Sequence, residues 1–245
     1  MYYDDDLKKI IADFKKYLIQ EQQQGVKEIL RSGIKTGVLT KDIPVAASVD
    51  KRKALEELRL ESSDCRQCRL GKSRIKLVFG AGNPEAKLIF IGEGPGYEED
   101  RQGLPFVGPA GQLLTKIIEA MGMKREEVFI TNIVKCHPMK DPGNSHLKGN
   151  DRPPDAEEIE ACRPILEAQI NIIKPKIICA LGTFAARTLL NSQETIGNLR
   201  GRFYDFGGIK LMPTLHPASC LYHASNKKYI WADMKIIRAE LAKNK

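Results

Sequence analysis

Apolar residues recur along this chain with two different periods. Leu7, Ile10, Ile11, Phe14 and Leu18 fall three or four positions apart, with Lys and Asp between them, as on one face of a helix. The pattern predicts a long amphipathic helix over 4–31. The stretch SGIKTGVLTKDIPVAASVD that follows has no sustained period and reads as a linker. Residues 1–50 are thus expected to form a helical appendage with a linker, carrying no chemistry of their own and suited to docking a protein partner.

From residue 51 the pattern changes. Continuous apolar runs, KLVFG, KLIFIG, EVFITN and KIICALG, with another at 209–214, alternate with helical patterns over 110–122, 155–172, 183–191 and 227–243. Strands apolar on both faces need helices on both sides, so 51–245 is expected to be an α/β domain with a mainly parallel central sheet flanked by helices. In such sheets ligands bind beyond the carboxyl ends of the strands. KLIFIG runs into GEGPGYEEDRQGLPFVGPAG, EVFITN ends at Asn132, and the last strand runs into PTLHPAS. Three polar elements are therefore expected to meet on one edge.

Charge sharpens the picture. The net charge is +8, and residues 171–245 hold 12 Lys and Arg against 4 Asp and Glu, an excess equal to that whole charge. Such a field favours phosphate-rich partners. Against this background, 92–111 places Glu93, Glu98, Glu99 and Asp100 beside a single Arg101. Gly92, Gly94 and Gly96 permit close backbone approach there and Pro95 stiffens the turn, but no GK[ST] follows and the next residues are anionic, which argues against a phosphate loop. No apolar run approaches the ~20 residues of a membrane helix. The opening MYYDDDLKK lacks the apolar block of a secretory signal, so a membrane-free intracellular protein is expected.

In that compartment six cysteines point to metal or catalysis before disulfides. Cys65 and Cys68 form a C-x-x-C, Cys136 follows a predicted strand and Cys162 lies on a predicted helix. Four thiolates suit either zinc or an iron–sulfur cluster, and spacing does not choose between them. Cys179, inside IICALG, reads as an inert core residue, whereas Cys220, after a His-Pro, is open to either reading.

GEGPGYEEDRQGLPFVGPAGQLL, TNIVKC and LHPAS, in that order and with this cysteine spacing, resemble the family 4 uracil-DNA glycosylases, the iron–sulfur enzymes of bacteria and archaea. The resemblance covers roughly 58–242. It implies a uracil-DNA glycosylase-like fold and a monofunctional enzyme of base excision repair. That enzyme would hydrolyse the N-glycosidic bond of deoxyuridine in DNA to leave an abasic site, without strand cleavage. It further implies a monomer acting on uracil-containing DNA in the cytoplasm, at the nucleoid, with a [4Fe–4S] cluster on Cys65, Cys68, Cys136 and Cys162.

Residue by residue, the resemblance makes Phe106 the aromatic on which uracil stacks and Asn132 the amide that reads its edge. An amide accepts from uracil N3–H while donating to O4, and cytosine presents the opposite pattern. Glu93 and Gly94 fall in the catalytic turn. Glu99 falls where a side chain would crowd C5 and reject the methyl of thymine, and the resemblance leaves open which acid serves the attacking water and which the sugar cation. His216 is implied to hydrogen-bond uracil O2 as negative charge develops on the base. Glu98 and Asp100 read as solvated loop charges. Ser219, Leu221, Lys227 and Lys228 match DNA-contacting positions, Leu221 as an apolar wedge and the lysines as phosphate contacts.

Two departures stand out. The family more often has Ser directly after the His-Pro, so Ser219 is displaced by one position, which puts its DNA-backbone role in question. The 139–153 connection is longer than the family's, with SHLKGNDR as the insertion. A related clan captures deoxyribose covalently through a histidine in a loop at this place, which makes His146 the candidate for an alternative, covalent reading. A non-catalytic DNA-binding module is the other.

Overall fold

In a computed structural model, residues 50–243 are described. The helix expected over 4–31 lies outside them. The chain opens with helix α1, Lys51–Ser62, whose first turn is capped by the Asp50 carboxylate accepting from the Arg52 and Lys53 N–H groups at 3.0 and 3.3 Å. A short turn of helix, α2, covers Leu70–Ser73. Strands β1, Ala81–Gly82, and β2, Leu88–Gly92, lead to helices α3, Tyr97–Gln102, and α4, Pro109–Ala120. Then come β3, Phe129–Asn132, the long α5, Ala156–Ile173, β4, Ile177–Leu181, and α6, Gly182–Leu190. The chain ends with α7, Ile196–Leu199, the strands β5, Tyr204–Phe206, and β6, Ile209–Thr214, and helices α8, Ser219–Tyr222, and α9, Lys227–Ala242.

The six strands form one sheet in the order β1-β3-β2-β4-β6-β5. β3, β2, β4 and β6 run parallel, and antiparallel β1 and β5 close the two edges. Alternation along each strand divides the apolar residues between two cores. Ile89, Ile91, Ile178 and Ala180 face α1, α5, α6 and α7, while Leu88, Phe90, Ile177 and Cys179 face α4 and α9. The uninterrupted apolar runs reflect these two covered faces. Cys179 is a fully buried core residue, as expected, and Cys220 is buried in the same core. Among the described residues no helix is long and apolar enough to cross a membrane.

Several short elements beyond those expected are present, and KLVFG, α1 and β5 show why expectation and structure differ. KLVFG is no strand: the Val78 N–H donates to the Lys135 carbonyl at 2.9 Å, and the Phe79 carbonyl accepts from Gln169 Nε2 at 2.7 Å and the Thr131 hydroxyl at 3.0 Å. Loop and side-chain partners replace ladder hydrogen bonds there. Helix α1 shows no clear apolar period because its buried face is narrow, with only Leu55 and Ser62 buried and Leu58 packed beside them. β5 is a three-residue edge strand with no fully buried residue, too short for alternation to reveal.

Gly111 fixes how α4 meets the loop before it, since a Cβ there would lie 1.9 Å from the Phe106 carbonyl oxygen. Gly111→Ala must push α4 away from the loop. The expected loss is about 1–3 kcal/mol, the usual cost of overpacking, read as a lower urea midpoint. An unchanged midpoint would refute the close approach.

Candidate active site and cysteine centre

β2 ends at Gly92 beside Asn132 at the end of β3, in register. A Cβ on Gly92 would fall 2.4 Å from Asn132 Oδ1 and 2.5 Å from Phe106 Cζ, so glycine allows the amide and the ring to converge. Phe106 has φ 51, in the left-handed region that costs a bulky residue energy unless its surroundings hold it. Its surroundings do. Glu99 Oε1 accepts from the Val107 and Gly108 N–H groups at 3.0 Å each, and its Oε2 accepts from Gly96 N–H at 3.2 Å. Arg125 also donates to the Pro105 carbonyl at 2.6 Å. The Glu99 carboxylate, expected to face the base, is engaged by the loop backbone.

Beyond the end of β6, His216 Nδ1 accepts from the Ala218 N–H at 3.1 Å, which leaves the proton of the neutral ring on Nε2. Burial lowers the His216 pKa to about 4. Its ring stacks on Phe106 with centroids 5.6 Å apart and planes at 29°. Glu93, Gly94, Glu99, Phe106, Asn132 and His216 all line one cavity of about 380 Å³. The three polar elements therefore do meet on one edge. Within the cavity wall, Asn132 is 1% exposed, and neither its Oδ1 nor its Nδ2 has a hydrogen-bond partner. Burial raises the Glu93 pKa to about 7.

The remaining acids differ from one another. Glu98 is exposed enough to pair with Lys148 at 3.4 Å. Asp100 is not a solvated charge: it is fully buried and accepts from the Ile75 N–H at 3.0 Å, with its Oδ2 3.9 Å from His137 Nδ1. His137, unassigned by sequence, is buried with Nε2 2.6 Å from Asp151 Oδ1. Burial lowers its pKa, but Asp100 and Asp151 outweigh that and hold it at about 9.

Asp151 and Arg152 bring the 139–153 connection to the cavity wall. A Met139–Asp151 bridge and the Lys140 N–H bond to the Asn150 carbonyl, at 2.8 Å, close the loop at its neck. His146 is exposed on that loop and is not among the residues lining the cavity. After the cavity, Leu221 is 51% exposed and Tyr222, which sequence reading passed over, is 82% exposed. Lys227 and Lys228 open α9 behind them. Ser219 departs from its expected outward role, since its hydroxyl is buried and unpaired as the chain turns into α8.

The four cysteines of interest, Cys65, Cys68, Cys136 and Cys162, are free thiols around one small cavity that Arg74 and Lys135 also line. Arg74 Nη1 donates to Cys136 Sγ at 3.2 Å, and the Lys135 N–H donates to Cys162 Sγ at 3.3 Å. Burial raises the Cys136 pKa to about 11 against the pull of Arg74. Lys135 is fully buried and donates to Thr131 Oγ1 at 2.8 Å and to the Asn132 carbonyl at 2.6 Å. Burial lowers its pKa to about 8, opposed by Cys162 and Cys136. A signal for Lys135 was present in TNIVKC: a cation at the end of an apolar run needs a buried partner. Around the nest, Arg69 and Arg152 both donate to the buried Glu158, at 2.7 and 2.6 Å, tying the C-x-x-C turn and the long connection to α5.

Comparison with known proteins bears on this geometry. Residues 79–235 match the family model described as the uracil DNA glycosylase superfamily. The chain is 41% identical to a type-4 uracil-DNA glycosylase of Sulfurisphaera tokodaii, over 77% of this chain and 85% of that protein. It is 36% identical to the type-4 enzyme of Archaeoglobus fulgidus, over 75% of this chain and 92% of the other. With the Thermotoga maritima type-4 enzyme it shares 42% identity, over 66% of this chain and 81% of that one.

Because folding raises the pKa of Glu93 from 4.5 to about 7, the folded state favours the protonated form. That contribution is fully present below pH 4.5 and is lost as pH rises through about 7. Glu93→Gln should therefore gain stability relative to the parent as pH is raised across this window, measured by urea denaturation. A difference that stays constant with pH would contradict the burial of Glu93.

Proposed function

The chain belongs to the uracil DNA glycosylase superfamily, on its type-4 branch, and from that premise we propose that it is a uracil-DNA glycosylase that hydrolyses the N-glycosidic bond of deoxyuridine in DNA. One observation carries the reading: the buried amide of Asn132, unpaired at both ends in the cavity wall. A buried polar group without a partner costs about 1–3 kcal/mol, so an amide kept in this state suits a ligand with one donor and one acceptor edge to edge. Uracil N3–H and O4 are such a pair; cytosine presents its donor and acceptor in the opposite order, which an amide held in one orientation mismatches.

In this reading DNA surrenders the nucleotide to the cavity by base flipping. Phe106, held by the Glu99-bound loop, provides the stacking face. Neutral His216 directs Nε2–H to uracil O2, stabilising the departing base as its glycosidic bond breaks and the sugar becomes oxocarbenium-like. Glu93, the cavity acid that titrates near neutrality, orients the attacking water and takes its proton. Glu99 acts by shaping the loop. Its exclusion of thymine would come through the position of Phe106 and the Gly96 turn, with no free carboxylate required. Leu221 enters the duplex, and Lys227 and Lys228 meet phosphate. No step calls for a Schiff-base lysine, so the product is an abasic site in an intact strand.

The cysteine nest fits an iron–sulfur cluster. Its four thiols surround a shared cavity. The buried Lys135 ammonium has no carboxylate partner among the described residues, and a negatively charged group in the nest would balance it. Cys65, Cys68, Cys136 and Cys162 would hold a [4Fe–4S] cluster, whose contribution is to tie the C-x-x-C turn to the segment following Asn132. Covalent capture through His146 draws no support from its exposed position outside the cavity lining.

Incubation with a uracil-containing oligonucleotide followed by hot alkali should give strand breaks that are absent without alkali. Asn132→Ala and His216→Ala should each lower kcat by about 10²–10³, the usual cost of a lost oxyanion-type donor. Full activity in both variants would sink the assignment. The kcat of the parent should rise with pH through about 7, where Glu93 loses its proton, and Glu93→Gln should flatten that limb.

A further inference from the structure

Lys135 touches both centres of this protein. Its side chain is fully buried, and Nζ donates to the carbonyl of Asn132 and to the hydroxyl of Thr131, at 2.6 and 2.8 Å. Its main-chain N–H donates to Cys162 Sγ at 3.3 Å, and the residue lines the cysteine cavity next to Cys136. Arg74 is the only other cation in that lining, and it sits at Cys136 Sγ with its remaining bonds on the Cys65 and Ser63 carbonyls. An ammonium buried without a carboxylate is costly unless another anion balances it. Four thiolates around an iron–sulfur core are such an anion.

Thr131 extends the contact further. Its hydroxyl lies within hydrogen-bond distance of Phe79 O and Gln169 Oε1, and Gln169 Nε2 also donates to Phe79 O. Lys135 therefore ends a buried polar network beneath the last two residues of β3. The amide of Asn132 itself has no protein partner to orient it, so its backbone carries the burden of placing it. Of the bonds described at that backbone, the one to its carbonyl comes from the side chain of a residue that also lines the cysteine cavity.

We propose that Lys135 is a positioning residue that couples the cysteine nest to the cavity: its ammonium is the counter-charge of the filled nest, and the same ammonium fixes the Asn132 carbonyl and so the amide that reads the base. The proposal rests on the glycosylase reading only for its second half. Emptying the nest leaves the ammonium unbalanced, which weakens its hold on Asn132. Removing the ammonium has the converse effect and leaves the thiolate set with Arg74 alone.

The test is Lys135→Met in the full chain, purified without oxygen. Loss of a neighbouring positive charge should move the cluster's midpoint potential to more negative values. Iron release to a chelator should accelerate about 10–100-fold, as for other lost partners of metal ligands. In protein still replete with iron, kcat/KM for uracil excision should fall by about the same 10–100-fold, while affinity for a uracil-free duplex stays unchanged. If Lys135→Met does not yield folded protein, Lys135→Gln, which keeps polarity at the buried position, is read in the same way.

A variant with the parent's potential and iron-release rate would overturn the counter-charge role. An iron-replete variant with undiminished kcat/KM would overturn the link to Asn132, and a parent chain that binds no iron would overturn both. A parent that holds the cluster but excises no uracil would defeat the glycosylase reading alone, because the potential still reports on Lys135.

Discussion

The carboxylate of Glu99 is the pin on which the cavity depends. It binds three backbone N–H groups, from Gly96, Val107 and Gly108, across a loop that turns through a left-handed phenylalanine. Without that carboxylate the N–H groups would need water, and Phe106 would have little reason to keep a strained backbone. The ring in turn rests on His216 and approaches Asn132 only because position 92 is glycine. A charged side chain that looks like a catalytic acid is here part of the loop's backbone hydrogen bonding.

This resolves the contrast between the acid-rich loop and the basic chain around it. Of four neighbouring carboxylates, Glu98 faces Lys148, Glu99 holds the loop, and Asp100 is buried against the Ile75 N–H near His137. Only Glu93 faces the cavity without an assigned partner, and it is the one whose burial places its titration near neutrality. The loop's formal charge is thus largely engaged before any substrate arrives. The basic surface needed for phosphate and an acid suited to water activation coexist because most of the acids look inward.

Much of this was legible from the sequence, for physical reasons. The parallel strands are buried on both faces and therefore read as unbroken apolar runs, and the carboxyl ends of such strands are where the cavity lies. Phe106, Asn132, His216 and Glu93 do line one cavity, as the motifs implied. What stayed hidden depends on contacts between distant segments. Nothing local to KLVFG says that its carbonyl bonds will come from Thr131 and Gln169, 52 and 90 positions away. Nothing local to Asp100 or His137 announces that a carboxylate on the following connection, Asp151, completes their pairing. Ser219 shows the same limit, since nothing local to LHPAS says that its hydroxyl will be buried.

The long connection between Cys136 and Cys162 leaves and returns at one narrow neck, closed by Met139 and Asp151 and braced by Asn150, whose amide bonds Asp141 and Asn144. Loop-closure entropy grows only logarithmically, about 0.6 kcal/mol for each doubling of length. The residues beyond the neck can therefore vary in length at little entropic cost, while Asp151 and Arg152 keep the neck at the rim of the cavity. The fold holds a replaceable cassette at the edge of its reactive centre, a place where descendants of this chain can try new chemistry on DNA while the machinery beneath stays as it is.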